Sequence, residues 1–473
     1  MKVMMIIVGV WLSALLGPPL LATLWAMVDD DARRVRRVAV VAALVACVAA
    51  AASYFVPELS GVRLAWPWRS ALLGPSIVRV SALSSFLVLL PPVLWLATIT
   101  STPSARLDRL GLGRTALGAA IGAFAFLTDS PLLLATCWAT SSGLFLWGLA
   151  SAPNRRATRV VAYYHGGSLA LLVGGIVALA IGGPTGSLGL ALVIAAVLVR
   201  KGIVPFHAWI PEAFDQGRIG PTVLLSAPQL GTYVAATLVV PNAPEATLRV
   251  VAILSLVTAV YGAALALFQA DARRALGYLF VSQSALVLAG LDCTSEDALT
   301  GALVLWISSA LAFTGVSRTV LALEARRGRL LLTRHHGGFD QMPLLAASFL
   351  LFGLACSGFP GTLGFIGQEM LIDGTVRSFP AMGFLAVAAA ALTGLTVLRM
   401  YFSLFCGRPS AGPRLRLLRR EAVVFGGIAV LLVASGVLPG RVIRAGERAS
   451  EALLRARDAV QRLSAPAERS ASD

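Results

Sequence analysis

The residue type best suited to chemistry here is lysine, because there is so little of it. Of 39 basic residues 37 are arginines, and the two lysines are Lys2 and Lys201. Lys201 lies inside an apolar run from 187 to 213, next to Gly202 and four residues before Pro205. An ionisable group within such a run is costly and points to function by default. A primary amine can hand on its proton, whereas guanidinium stays charged at any physiological pH, so a lysine in a chain that otherwise uses arginine suggests a group that must lose its proton. The competing reading is a lysine snorkelling from a shorter helix that ends at Arg200. A relay would need titratable partners. Glu369, in the run from 343 to 372, reads as the deepest carboxylate and an exit-side group. Glu212, Asp215, Asp271 and Asp340 fall near run ends, where solvation or capping accounts for them. His165 and His207 lie in the sixth and seventh runs, and a packed, hydrogen-bonded ring is the alternative for each. His335 and His336 sit in an arginine-rich loop and read as solvated. Gln229, beside Pro228, could hold a water in a chain. Ser282, Gln283, Ser308, Ser309 and Thr314 suit interhelical hydrogen bonds equally well.

The elements that must hold these residues are membrane helices. The chain has 473 residues, 57% hydrophobic and 13% charged, with mean hydropathy +0.81. A soluble multidomain protein is excluded, and at roughly 20 residues per span the apolar content allows about fourteen spans. Apolar runs occur at 3–27, 38–56, 81–100, 114–128, 130–150, 160–182, 187–213, 221–240, 247–270, 275–291, 298–323, 343–372, 380–406 and 421–439. The first is too long for a signal peptide and is read as a span. Two runs exceed a bilayer: as straight helices 187–213 and 343–372 would reach roughly 40 and 45 Å, against a hydrocarbon core of about 30 Å. Both contain breakers, Gly202 and Pro205 in one and Gly358, Pro360, Gly361 and Gly364 in the other. Irregular backbone at mid-depth is tolerated only against protein or a hydrated cavity. Two such runs five spans apart, in opposite orientations, mark a transport site near the midplane.

The net charge of +16 is read as topology. Arg33, Arg34, Arg36 and Arg37, then Arg106, Arg109 and Arg114, Arg155, Arg156 and Arg159, Arg273 and Arg274, Arg326, Arg327, Arg329 and Arg334, and Arg414, Arg416, Arg419 and Arg420 all fall in odd-numbered loops. The even loops hold isolated bases such as Arg249 and Arg377, or acids such as Asp292, Glu296 and Asp297. The odd loops are therefore expected on the cytoplasmic side, and nucleic acid is not expected as a partner. Six arginines from Arg441 to Arg462 break the rule by following an even span. That tail is two-faced, with Ala449, Ala452, Leu453, Ala456, Val460 and Leu463 on one side; it is either a surface-lying helix or a solvated end. Cys47, Cys137, Cys293, Cys356 and Cys406 are scattered, with no metal-ligand spacing. Phosphate loops, dinucleotide fingerprints and haem motifs are absent, so no cofactor, metal or catalytic site is expected.

Lys201-Gly-Ile-Val-Pro205-Phe-His207-Ala-Trp209-Ile-Pro211-Glu212-Ala, followed by Gly220-Pro221-Thr222, resembles the signature of the antiporter-like membrane subunits. These occur in complex I (NADH-quinone oxidoreductase subunits L, M and N), Mrp antiporters, membrane-bound hydrogenases and inorganic-carbon pumps. Gln269-Ala-Asp271-Ala-Arg273-Arg274 through Tyr278 with Ser282-Gln283, and Gly337-Gly338 through Met342-Pro343 to Gly358-Phe-Pro360-Gly361 and Gly364-Phe365, are similar to further motifs of that family. The similarity covers roughly residues 81–408. The resemblance implies an all-α polytopic fold of about fourteen helices with two inverted five-helix repeats, each containing a broken helix. It implies spans 1–3 in 1–113, a first repeat in 114–240, a second in 247–408, a last span in 409–440 and a basic amphipathic tail in 441–473. It also implies that Lys201 is the central proton-carrying lysine. The chain departs from the family where Ala139, Ser309, Phe313 and Gln368 stand in place of titratable residues. The expected function is a proton- or cation/proton-translocating subunit of a multi-subunit complex in the inner (plasma) membrane, in which other membrane subunits, a soluble redox or carbon-uptake protein and protons are the partners. The alternatives are a non-pumping structural anchor and a subunit of a bicarbonate uptake system.

Overall fold

The computed structural model describes residues 2–55, 59, 61–150, 155–183, 185–378, 380–408 and 417–464. Arg414, Arg416 and the end of the tail lie outside the described residues. Each apolar run coincides with a helix or a helix pair. The first are α1 (Lys2–Val28), α2 (Ala32–Phe55), α3 (Ala82–Leu87) with α4 (Leu90–Ser101), α5 (Arg109–Ala125), α6 (Pro131–Ala150) and α7 (Arg155–Gly182). The middle of the chain forms α8 (Ser187–Lys201) with α9 (Trp209–Gln216), α10 (Ile219–Ser226) with α11 (Leu230–Val234), α12 (Glu245–Phe268), α13 (Ala272–Asp292) and α14 (Glu296–Arg327). The remainder is α15 (Pro343–Cys356) with α16 (Leu363–Ser378), α17 (Pro380–Phe405), α18 (Arg419–Val437) and α19 (Gly440–Ser464). Among the described residues eleven helices, or helix pairs counted as one, are long and apolar enough to cross a membrane, and the bent α8 pair makes a twelfth. The protein is a polytopic membrane protein. The run 114–128, realised as α5, and the run 343–372, split into α15 and α16, fall short of that length as single helices.

The centre is α13 and α14, buried along nearly all their length, with α12, α16 and α17 packed around them. Apolar residues outnumber polar ones on every face of these two, as befits helices enclosed by other helices. By contrast α1, α7 and α18 bury about a quarter of their residues and present the rest outward.

Both breaks foreseen from the breakers are real and share one construction. Gly202 (φ 67°), directly after α8, and Gly358 (φ 76°), one residue beyond the end of α15, adopt the left-handed conformation. The next amide then reaches back five residues: Ile203 N–H donates to the Leu198 carbonyl (2.9 Å) and Phe359 N–H to the Leu354 carbonyl (3.0 Å). This is the glycine C-cap, which needs a residue without Cβ. After the first break the chain turns by 42° into the helix that follows.

Three features differ from the sequence expectation. The eighth run is also interrupted, between α10 and α11, where Gln229 adopts φ 54°, ψ 54°. Arg63–Ser70 and Gly74–Arg79 pair as an antiparallel hairpin (β1, β2) outside the spans, so the fold is helical apart from this ribbon. Finally, the tail is a helix, α19, whose buried side is Gly446, Ala449, Ser450, Leu453 and Arg457, while Ala452 and Ala456 are exposed. The buried stripe is rotated from the expected one because Arg457 turns inward, donating to the carbonyls of Val240 (2.8 Å) and Ala243 (2.9 Å).

The arginine-rich loops meet on one face. Asp108 takes Arg114 (3.3 Å) and Arg218 (3.5 Å), and Arg109 pairs with Asp30 (3.1 Å). Arg273 pairs with Glu324 (2.6 Å), Arg326 with Glu421 (2.6 Å), and Arg420 donates to Ser104 (2.8 Å). Arg329 joins Asp271 (2.6 Å) and Asp215. The opposite face carries α19 and the Arg377–Asp297 pair.

Candidate functional site

Lys201 is the last residue of α8 and is 3% exposed. The glycine cap ends the helix there, so the side chain projects from a terminus in the interior of the bundle. Its Nζ donates to Gln229 Oε1 (2.5 Å) and Thr232 Oγ1 (2.5 Å), and the Thr232 hydroxyl donates to the same Gln229 oxygen (3.1 Å). The left-handed turn at Gln229 aims its amide across at the lysine. The break that creates this turn is held from outside by Trp306 of α14, whose indole donates to the Pro228 carbonyl (3.2 Å). Gly231 lets the lysine stem pass: a Cβ there would lie 3.1 Å from its Cγ and 3.3 Å from its Cδ.

No carboxylate lies within ion-pair distance of Lys201 among the described residues. A buried carboxyl group ends α13: Asp292 is 2% exposed, and neither of its oxygens meets a donor among the described residues. Asp292 was expected in a loop of the arginine-poor side. That assignment is corrected: α13 runs on through it, and its carboxylate is enclosed. Glu369 is corrected in the opposite sense. It is exposed on α16, whereas its neighbour Gln368 is buried and donates its amide to the Cys356 carbonyl at the second break (3.3 Å). A glutamate one position along a helix is rotated by about 100°, which takes it off the inner face.

His165 is buried but belongs to Arg200, not to Lys201. Arg200 donates through Nη1 to His165 Nδ1 (3.0 Å) and to Ser142, donates through Nη2 to Ser141 (3.2 Å), and lies over the Trp138 ring at 5.1 Å. Since guanidinium can only donate, Nδ1 accepts and the ring proton is on Nε2. The hydroxyls of Ser141 and Ser142 thus stand near Ala139, taking up the guanidinium where the family resemblance expects a carboxylate. His207 is half-buried beyond the break, between Tyr261 (5.1 Å) and Tyr278 (6.1 Å), away from the lysine.

In the second half, Ser309 donates to the carbonyl of Trp306 (3.2 Å), and Phe313 packs against Phe280 (5.1 Å) and Phe214 (5.5 Å). The aromatic cluster occupies positions where titratable side chains are implied by resemblance. Around it Ser255, Ser282, Gln283, Ser284 and Ser308 are buried with polar side-chain atoms unpaired among the described residues. Leaving such groups without a partner costs about 1–3 kcal/mol each. The sequence had not singled out Thr232 and had marked Arg200 only as a helix end; Thr232 could have been found by its spacing of three from Gln229.

Residues 160–394 match the family described as NADH:quinone oxidoreductase/Mrp antiporter, transmembrane. The chain belongs to the antiporter-like membrane subunits. Among curated relatives it is similar to NADH-quinone oxidoreductase subunit M of Pseudomonas aeruginosa, 30% identical over 254 residues, which are 52% of this chain and 50% of that one. Subunit N of Thermobifida fusca is 31% identical over 331 residues, covering 64% and 57%. The chain's match thus spans about half the length of these relatives. Among solved structures, a chain of respiratory complex I from Thermus thermophilus superposes with TM-score 0.84 at 19% identity, covering 94% of this chain and 99% of that one. A chain of the Mrp complex from a Dietzia species gives 0.86 at 18% identity, covering 96% and 99%. At such identities the likeness establishes the antiporter-like fold.

Proposed function

We propose that this chain is a proton-translocating subunit of a multi-subunit energy-coupling complex in the inner (plasma) membrane, with Lys201 as its central titrating group. The observation that carries the reading is a lone buried lysine at a broken helix, solvated by two neutral oxygens that accept from it in its charged form. An amine held only by neutral acceptors is not locked by a carboxylate, and it can pass its proton to a water that replaces one of them. The arginine-rich face is the cytoplasmic one. Buried Asp292 lies toward the other face and serves as the second charge in the path, in place of Glu369. We read the two breaks as equivalent elements of an inverted repeat, 114–240 and 247–408, supported by their common glycine cap. The aligned position before that glycine is lysine in the first and Ser357 in the second, so the titrating chemistry is concentrated in the first half.

Proton flux in proteoliposomes containing the assembled complex, with Lys201→Ala and Lys201→Arg, tests the reading. Flux should be lost in both, since arginine keeps the charge but holds its proton; undiminished flux in either variant removes Lys201 from the path. A second reading, a non-pumping anchor that keeps the antiporter scaffold, is favoured by Phe313 and its aromatic neighbours where a relay would pass. Wild-type complex without flux would select it. Proteins co-purifying with the chain would identify the complex: an NADH module, a hydrogenase, Mrp subunits or a soluble carbon-uptake protein.

A further inference from the structure

Beside the lysine, and separate from it, lies a cation with no counter-charge. Arg200 is 7% exposed, has no carboxylate within ion-pair distance among the described residues, and is solvated by Ser141, Ser142, His165 and the Trp138 ring. An uncompensated buried charge is costly, by several kcal/mol even after relaxation. Neutral dipoles recover part of that cost, and an anion would recover more.

Space for one is present. Arg200 and Ser141 form the inner end of a cavity of about 150 Å³ that extends to the arginine-rich face between α4, α5, α6 and α10. At its mouth stand Arg106, Arg114 and Arg218 with a single carboxylate, Asp108, shared by the last two. The wall formed by Thr98 and Gly220 is backed by a second fully buried guanidinium. Arg318 donates to the Thr98 hydroxyl (2.9 Å) and the Gly220 carbonyl (3.2 Å), while its Nε and Nη1 meet no acceptor among the described residues. The remaining lining is chiefly apolar, including Leu144, Phe145 and Leu224. Positive groups at mouth, wall and inner end, with low-dielectric sides between them, make a potential that concentrates anions and repels protons and metal cations. The volume is below the 300–1,000 Å³ typical of drug-sized ligands and suits a small ion with a few waters.

We propose that this cavity is a binding site for a small inorganic or one-carbon monoanion, with the Arg200 guanidinium as its principal ligand. Bound there, the anion neutralises Arg200 next to Lys201 in the chain and so makes it easier for Lys201 to carry a positive charge. Anion occupancy and the lysine's proton affinity are thereby linked. The site stands whether or not Lys201 conducts protons.

Thermal unfolding of the purified full-length protein provides the test, in sodium chloride, sodium formate and sodium gluconate at equal ionic strength. Chloride is a spherical monoanion, formate a planar one, and gluconate is too large for the cavity. Chloride, formate or both should raise Tm by a few degrees over gluconate, saturably, as binding to the folded state requires. Arg200→Gln and, independently, Leu144→Trp, which fills the cavity from its wall and leaves every charge in place, should each abolish the difference. Equal Tm in all three salts overturns the proposal. So does a salt difference that survives in Leu144→Trp, or a rise produced only by anionic lipid and by neither small ion. Should Arg200→Gln fail to fold, the Leu144→Trp arm decides alone.

Discussion

Two neighbouring cations divide the work of the membrane interior by chemistry. Lys201 and Arg200 are adjacent in the chain, yet their side chains enter different polar sites, one built from Gln229 and Thr232 and the other from Ser141, Ser142 and His165. The lysine's partners are neutral oxygens, which makes Gln229 informative. Gln229→Glu keeps the size and places a carboxylate against Nζ, where it would hold the ammonium charged; proton flux through the complex should drop about tenfold, since a hydrogen bond to a charged group is worth about 1.5–3 kcal/mol against about 0.5–1.5 kcal/mol for a neutral one. Flux equal to wild type would mean that Gln229 does not govern the lysine. Gly231→Ala should act sterically, since a methyl at 3.1 Å from the lysine Cγ forces the stem aside, and flux should fall with little change in Tm. Much of this site was legible in advance. A single lysine against 37 arginines was enough to single out Lys201, whereas Gln229 read only as a polar group that could hold a water, and its bond to the lysine appears in the structure alone. That Asp292 is enclosed and Glu369 exposed was not legible, because hydropathy locates a residue along a helix and not around it. Asp292 ends an apolar run followed by Thr294, Ser295, Glu296 and Asp297, so the composition reads as loop, while the enclosure comes from neighbouring helices that no local pattern encodes.

At the scale of elements, the breaks are backbone devices, and the backbone is where they should fail. Gly202 sits at φ 67° with the Ile210 side chain against its missing Cβ position. Gly202→Ala therefore combines left-handed strain of about 1–2 kcal/mol with a clash. It should lower Tm and move Lys201, costing flux as well. Gly361, at φ 87° with open space around it, makes the control: Gly361→Ala meets the strain alone, so its Tm loss should be the smaller of the two. A larger loss at Gly361 would show that the second break carries more of the fold than the first. Breakers were readable because Gly and Pro act locally. The third interruption was not, since Pro228 stands in a run of ordinary length and only the reach of Gln229 and the Trp306 bond to the Pro228 carbonyl reveal a turn. The hairpin Arg63–Arg79 escaped for a different reason: short strands interrupted by Pro67 and Gly74 give no alternating signal.

Across the whole molecule, charge sorts the two faces, and the exception to that sorting explains itself. The odd loops gather on one side through cross-loop ion pairs, as the arginine count requires. The basic tail lies on the other side without contradiction, because α19 is held by packing and hydrogen bonds and does not depend on loop charge. Thr300 and Ser450 share a hydroxyl hydrogen bond at 2.8 Å, Ala449 and Leu453 are buried, and Arg457 satisfies two carbonyls at the end of the interrupted eighth run. The helix thus straps the end of the Gln229-bearing element to α14, the same helix whose Trp306 holds the break at Pro228. Arg457→Ala leaves two buried carbonyls without their donor, at about 1–3 kcal/mol, and should lower Tm measurably. If the strap sets the position of Gln229, Arg457→Ala should also lower proton flux at a temperature where the variant is fully folded. Arg457→Lys, which keeps a donor, should restore part of both. A loss of Tm with unchanged flux would make α19 a stabilising strap and nothing more; a loss of flux not rescued by lysine would place the requirement in the planar, two-carbonyl geometry that only guanidinium provides.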